Sequence, residues 1–159
     1  MINDETINLI SEFEGFAKEI SPDVAVPYKC SAGYPTIGFG AIYGLDGNRV
    51  KMDHEPITRE QAEDLLRRDT KISYNAVARL TQPYFHKLTE NQVGALTSLT
   101  FNIGSGNFRA SQIRSKITRG EIEGAGKLFW QWRRAGGAGG RIVKGLVRRR
   151  AKETQLYFS

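Results

Sequence analysis

Residues 28–40 read Tyr-Lys-Cys-Ser-Ala-Gly-Tyr-Pro-Thr-Ile-Gly-Phe-Gly, and this segment is the most informative about the fold. Its three glycines and one proline favour tight turns and short strands over a helix. The stretch lies within a longer segment, from Pro22 to Pro56, that is rich in both residue types. Near its end, Leu45 to Asn48 has the composition of a hairpin turn. The whole segment therefore predicts short β-hairpins.

Helical patterns flank this segment. On the amino-terminal side, Asn3 or Asp4 can cap a helix that Gly15 ends. On the carboxyl-terminal side, a capping box at 58–61 opens a long helix that breaks near Pro83.

A second capping box, at 89–92, opens a helix that ends at Gly104, and further helical stretches are predicted at 111–118, 122–134 and 144–156. A loop at 136–140 precedes the last of them. The predicted fold class is α+β within a single domain at 1–159. We expect a β-containing lobe at 15–57, a connecting helix at 58–82, and a helical lobe made of 83–159 and the first helix at 3–14. A cleft between two lobes is a usual place for a ligand.

Composition excludes several protein classes. Of 159 residues, 40% are apolar and 25% charged, as is usual for a globular protein. No run approaches the roughly 20 apolar residues of a membrane span, and the acidic amino terminus lacks an export pattern. The single cysteine, Cys30, forms no internal disulfide. Two histidines in no Cys/His cluster predict no metal site, and the glycine-rich segments match no phosphate-binding pattern, so we expect no cofactor.

Charge is distributed unevenly along the chain. Residues 1–108 carry 10 basic and 14 acidic side chains, whereas residues 109–159 carry 13 basic and 3 acidic ones. The net charges are therefore −4 and +10. This asymmetry indicates a polyanionic partner, although part of the basic run 148–150 is expected to be structural, because three consecutive helical residues point in three directions.

Glu14 is the carboxylate with the most informative position, because it lies where the first helix is predicted to end. The carboxyl end of a helix carries about half a negative charge, which disfavours an ionised carboxylate and favours the protonated acid. Cleavage of a glycosidic bond needs such an acid, since the leaving oxygen must receive a proton. On position alone, a solvated surface glutamate remains the alternative.

Glu14-Gly15 and residues 28–40 together resemble the glycoside hydrolase family 24 lysozymes of bacteriophages. The family pattern is a helix-terminal Glu-Gly, followed by Tyr-x-(Asp or Cys)-x-x-Gly-x-x-Thr-Ile-Gly-x-Gly. Further matches occur in order at 56–62, 95–104, 129–137 and 145–157, so the resemblance covers nearly the whole chain. It implies a lysozyme-like α+β fold. One departure is Ala41, where many members have histidine.

Two residues compete for one position of the pattern. In most members the Asp or Cys follows the glutamate by nine residues, whereas Cys30 follows Glu14 by sixteen. A seven-residue insertion around 20–26 accounts for the difference, and Asp23 falls at the familiar spacing. We favour Cys30 because its flanking residues match the pattern on both sides, and we keep Asp23 as the alternative.

The resemblance implies hydrolysis of the β-1,4 bond between N-acetylmuramic acid and N-acetylglucosamine in peptidoglycan. Glu14 would donate the proton to the leaving oxygen, and Cys30 with Thr36 would hold the attacking water. An inverting enzyme of this kind has about 6.5–9.5 Å between its two catalytic groups. Asn102 would contact the substrate, or else only cap its helix.

The same resemblance implies a bacteriophage endolysin that acts as a monomer and binds neither nucleic acid nor a membrane stably. It would stay in the host cytoplasm until a holin-type protein gave it access to the wall in the periplasm. Two other readings stay open. The chain could be a wall-binding module with a weakened site, or a thiol peptidase that pairs Cys30 with His54 or His86.

Overall fold

The computed structural model describes residues 1–16, 19–21, 23–137 and 139–159, with the backbone alone for 19–21. Its helices are α1 Asp4–Glu14, α2 Arg59–Leu80, α3 Glu90–Ile103, α4 Ser105–Ala110, α5 Gln112–Thr118, α6 Ile122–Gly126 and α7 Lys144–Tyr157. The strands are β1 Glu19–Ser21, β2 Val24–Ala25, β3 Tyr28–Lys29, β4 Pro35–Thr36 and β5 Ile57–Thr58. The predicted α+β class is confirmed. In the described part of the chain, no helix is both long and apolar enough to cross a membrane.

The chain divides into two compact units: residues 10–69 form one, and residues 1–9 with 70–159 form the other. The unit at 10–69 contains all five strands in two small sheets. One sheet has the order β1-β2-β5, and the other pairs β3 with β4; all pairings are antiparallel. The expected turn near residue 46 is present, because Gly44 and Asn48 are hydrogen bonded across it.

Part of the predicted insertion forms a hairpin of its own. β1 and β2 pair with each other, and β2 also pairs with β5, at the entrance to α2. Asp23, in the turn between β1 and β2, has a positive φ of 76°. The insertion thus adds two strands beside β5, separate from the sheet that β3 and β4 form.

The side chains predicted to begin three helices do so. Asn3 Oδ1 accepts a hydrogen bond from the Thr6 backbone N–H at 3.1 Å, which selects Asn3 over Asp4 as the cap of α1. The capping boxes at 58–61 and 89–92 are both formed, with each hydroxyl and each glutamine side chain bonding to the other residue's backbone.

The unit with residues 70–159 is built around α3, which packs against α7. Its core is apolar and fully enclosed, and includes Leu96, Leu99, Phe108, Ile113, Ile117 and Phe129. The expectation of a single helical stretch at 122–134 is wrong, since α6 stops at Gly126 and a separate 3₁₀ turn spans Phe129–Trp132. Helix α4 was not predicted, because the sequence pattern ends α3 at Gly104 and indicates no helix between 105 and 110.

Two consecutive arginines of α7 are buried together with a glutamate. Arg149, Arg150 and Glu153 are 3%, 2% and 0% exposed. Glu153 Oε2 lies 2.7 Å from Arg150 Nε, and Glu153 Oε1 lies 3.3 Å from Arg149 Nε. The hydroxyl of Ser98, on α3, donates to Glu153 Oε1 at 2.7 Å. This buried ion cluster confirms that part of the basic run 148–150 is structural, whereas Arg148 is exposed.

Gly38 occupies a position where a side chain cannot be accommodated. Its φ is +65°, and a Cβ added to it would lie 2.8 Å from the Cβ of Ala62 in α2. We expect Gly38→Ala to lower the free energy of unfolding by about 2–4 kcal/mol, because backbone strain and overpacking act together. Urea unfolding followed by circular dichroism measures the change.

Gly47→Ala is the matched control for Gly38→Ala. Gly47 also has a positive φ, +79°, but a Cβ there would meet nothing within 4 Å. We expect a loss of about 1–2 kcal/mol from backbone strain alone. Equal losses for the two variants would show that contact with α2 does not matter.

Candidate active site

Glu14 is the last residue of α1, as the sequence predicts. Gly15 ends the helix with a φ of +73°, and its N–H donates to the Ser11 carbonyl at 3.0 Å. The next residue, Phe16, packs against Phe39 with ring centroids 5.3 Å apart. This contact fixes the end of α1 beside the glycine-rich loop that follows β4.

The hairpin of β3 and β4 carries the other candidate residues. Tyr28 lies opposite Thr36, and beyond the strand ends the Cys30 N–H donates to the Tyr34 carbonyl at 3.0 Å. Because side chains alternate along a strand, these two cross-strand pairs lie on the same face of the hairpin. We call this surface, made of Tyr28, Cys30, Tyr34 and Thr36, the hairpin face.

Cys30 and Thr36 are diagonal neighbours on the hairpin face and interact directly. The side chain of Thr36 is within hydrogen-bonding range of the Cys30 thiol. Backbone hydrogen bonds from Tyr34 lower the pKa of the Cys30 thiol most, and those from Ala32 and Gly33 and the Thr36 hydroxyl contribute in the same direction. The site therefore favours a thiolate at a lower pH than an ordinary cysteine does.

Thr36 is held in place by its surroundings. It is 2% exposed, and its hydroxyl donates to the Tyr34 carbonyl at 2.9 Å. A hydroxyl has one proton, so while Thr36 donates to Tyr34 its oxygen can only accept a hydrogen bond from another group. Thr36 thus combines a fixed position with free lone pairs, which suits a group that accepts a hydrogen bond from water.

The pKa of Tyr28 responds to the charges of both Glu14 and Cys30. Burial raises the pKa of the Tyr28 phenol, and the negative charges of Cys30 and of Glu14 raise it further. The phenol therefore remains protonated and lies in the electrostatic field of both groups. The sequence pattern included Tyr28 but assigned it no role, because the register that places it opposite Thr36 is a tertiary property.

Asp23 is engaged elsewhere. Its Oδ1 lies 3.0 Å from Arg59 Nε, and its carbonyl accepts from the Arg59 N–H at 2.7 Å. The Arg59 guanidinium also lies over the Phe16 ring, 4.5 Å from the centroid. These contacts join the β1–β2 turn to the start of α2. The structure thus brings Cys30 together with Thr36 and places Asp23 against Arg59.

Asn102 belongs to the other unit, where it is the penultimate residue of α3. It lines an open pocket within that unit, together with Asn107, Trp130, Gln131, Trp132 and Arg134. Trp130 is 52% exposed, and the Arg133 guanidinium lies 4.7 Å from its ring centroid. Trp132 is half-buried against the core, so the two tryptophans differ in exposure.

Neither histidine is bonded to Cys30 in the described structure. His54 Nδ1 is 2.7 Å from the Glu55 carbonyl, and His86 belongs to a 3₁₀ turn at Phe85–Lys87 in the other unit. Ala41, which stands where many family members have histidine, is buried and bridges to Ile37. Within the described ranges, no group of three or more His, Cys, Asp or Glu side chains could hold a metal ion.

Comparison with known proteins identifies the family. A family model described as phage lysozyme matches residues 11–153. The endolysin of Acyrthosiphon pisum secondary endosymbiont phage 1 is 34% identical, over 99% of this chain and 98% of its own length. The endolysin of Bacillus phage PZA is 35% identical over 99% of this chain, but the chain spans only 55% of that relative.

A solved structure of a lysozyme has the same fold as this chain. The crystal structure of a P22 lysozyme mutant matches with a TM-score of 0.81 and 30% identity, covering 100% of this chain and 99% of the other. The expected lysozyme-like fold is thereby confirmed. From its helix-terminal glutamate, its glycine-rich hairpin and these similarities, the chain belongs to the phage lysozyme family.

Proposed function

We propose that the chain is an endolysin that hydrolyses the β-1,4 bond between N-acetylmuramic acid and N-acetylglucosamine in peptidoglycan. Membership of the phage lysozyme family supports a glycoside hydrolase of the muramidase type. Similarity to an endolysin over almost its full length supports lysis of a host wall. The observation that supports the assignment of the site is the hairpin face, where strand pairing sets Tyr28 opposite Thr36 and Cys30 opposite Tyr34. The negative charge of Glu14 raises the pKa of Tyr28 on this face.

In the proposed reaction, Glu14 donates its proton to the glycosidic oxygen as the bond to the muramic acid carbon breaks. Water adds to that carbon, held by the Thr36 hydroxyl and by Cys30. The water gives up a proton to the Cys30 thiolate, whose formation the surrounding hydrogen bonds favour. No covalent sugar intermediate forms on this route, so the anomeric configuration is inverted.

Product analysis of digested peptidoglycan tests the proposed function. A muramidase releases new reducing ends on N-acetylmuramic acid, whereas a peptidase releases new amino groups and a binding module releases neither. We expect reducing ends only. New amino groups that disappear after alkylation of Cys30 would support the thiol peptidase instead.

The choice between Cys30 and Asp23 leads to a paired prediction. We expect Cys30→Ala to lower kcat about 10²-fold, at the low end for a positioned acid or base, because Thr36 still holds the water. Asp23→Asn should stay within about twofold of wild type in kcat, since Asp23 contacts Arg59 on the surface. Both are measured as the rate of reducing-end release.

Cys30→Asp provides the rescue variant, because the family pattern accepts either residue at this position. We expect it to retain at least about half of the wild-type rate, since a carboxylate accepts a proton from water readily. A large loss of kcat in Asp23→Asn with little change in Cys30→Ala would instead assign the water-holding role to Asp23.

Asn102 is proposed as a substrate contact, and the strongly basic carboxyl-terminal third is proposed to attract anionic wall polymer rather than nucleic acid. We further propose that the protein acts as a monomer and is kept in the host cytoplasm until a membrane-permeabilising protein of the holin type admits it to the periplasm. Bacterial lysis on expression of the chain, compared with and without such a protein, separates this route from self-release.

A further inference from the structure

An arginine next to the hairpin face is held by two tyrosine rings. The Cζ atom of Arg49 lies 5.6 Å from the ring centroid of Tyr34 and 5.5 Å from that of Tyr43. Both rings are exposed, at 54% and 43%. Cation–π attraction to the two rings restrains the guanidinium and does not use its N–H groups as hydrogen-bond donors, so they can still bind a ligand.

The backbone on both sides of this stack is fixed. Arg49 bridges to Tyr43 across the turn at 44–48. Within that turn, Asp46 accepts hydrogen bonds from the backbone and the side chain of Asn48, at 3.0 and 3.2 Å. The guanidinium is therefore presented by a closed turn and not by a loose loop.

The stack continues the hairpin face. The Tyr34 carbonyl accepts hydrogen bonds from the Cys30 backbone N–H and from the Thr36 hydroxyl. The negative charge of Glu14 raises the pKa of Tyr28, in the other cross-strand pair of the face. Along the hairpin, the Tyr28–Thr36 pair is followed by the Cys30–Tyr34 pair, and Arg49 lies against the Tyr34 ring.

The charges around Arg49 are mixed. Lys51, His54 and two acids, Asp46 and Asp53, line the same open depression. The hydrogen bonds from Asn48 lower the pKa of Asp46, which keeps it ionised, and they tie both of its carboxylate oxygens to the turn. A ligand with a carboxylate would then meet Arg49 and Lys51 on this side of the site.

We propose that Arg49, held by Tyr34 and Tyr43, binds a carboxylate of the peptide attached to N-acetylmuramic acid near the cleaved bond. This inference rests on the proposed function. A planar guanidinium matches a carboxylate in a bidentate geometry, and the peptides on muramic acid supply free carboxylates beside the glycan. The stack thereby distinguishes peptide-bearing wall from a bare sugar chain.

The test uses one wall preparation in two forms: Gram-negative sacculi, either native or with their peptide carboxylates converted to amides by carbodiimide and ammonia. The sugars and peptides are then the same, and only the charge differs. For native sacculi we expect Arg49→Ala to raise KM about three- to tenfold with kcat little changed. For amidated sacculi, Arg49→Ala and wild type should have equal KM.

Two further variants separate charge from stacking. Lys71→Ala removes the same unit of charge from an exposed position on α2 and should leave KM unchanged on both substrates. Tyr43→Leu removes one ring and should raise KM on native sacculi alone. An equal rise for Arg49→Ala on native and amidated sacculi, or no rise on either, would overturn the inference while hydrolysis by wild type still stands. Absence of hydrolysis by wild type on both substrates would instead refute the proposed function.

Discussion

Glu14→Gln is expected to reduce hydrolysis of peptidoglycan by about 10³–10⁴-fold while the protein remains folded. The amide keeps the size of the carboxyl group but has no proton to give to the leaving oxygen. Because Glu14 is half-buried at the end of α1, next to a glycine that already terminates the helix, the substitution disturbs little packing. Reducing-end release measures activity, and thermal unfolding confirms the fold.

Glu12→Gln provides the matched control, since Glu12 is exposed on the same helix two residues earlier. It should retain activity within about twofold. If Glu14→Gln kept more than a small fraction of wild-type activity, Glu14 would lose its role as the acid. If the Glu14→Gln variant were inactive but still sedimented with sacculi, binding and hydrolysis would be shown to depend on different residues.

Glu153→Gln is expected to lower the free energy of unfolding by about 3–5 kcal/mol. The amide removes the negative charge that lies against the two buried guanidinium groups of Arg149 and Arg150. Burial raises the pKa of Glu153, and the two guanidinium groups and Ser98 act in the opposite direction, so the carboxylate depends on these neighbours. Urea unfolding at neutral pH measures the loss.

An exposed ion pair provides the control for the loss of stability expected of Glu153→Gln. Glu123 Oε1 lies 3.5 Å from Lys127 Nζ, with both side chains largely in solvent. Glu123→Gln should change stability by less than about 0.5 kcal/mol, because solvent screens the pair. Similar losses in both glutamine variants would mean that the cluster around Glu153 is not held by charge.

Much of the local structure could be predicted from short sequence patterns. The predicted capping boxes at 58–61 and 89–92 are both present in the structure, because a cap needs only residues within one turn of the helix. The end of α1 at Glu14 followed from Gly15 for the same reason. The pattern failed at two places between 104 and 134: it did not predict α4, which packs against α3, and it extended the helix that begins at Ile122 beyond its end at Gly126.

For the candidate site, too, the sequence predicted the residues but not the contacts between them. Sequence alone nominated Glu14, Cys30, Thr36, Asp23 and Asn102, and it left Cys30 and Asp23 in competition because spacing and local motif disagreed. The antiparallel register of β3 and β4 then placed Cys30 against Thr36, while the β1–β2 turn placed Asp23 against Arg59. Spacing along a chain does not specify which strands pair, so no count of residues could have made that distinction.

Local sequence was enough to predict the α+β class, the limits of the main helices and the residue types available for acid chemistry, because these follow from patterns within a few positions. That Tyr28 lies opposite Thr36, that Arg49 lies against Tyr34 and that Glu153 accepts a hydrogen bond from Ser98 follows from the folded chain, since each partner is on another strand, turn or helix. Hydrogen bonds, ring contacts and burial between distant segments form only when the chain has folded.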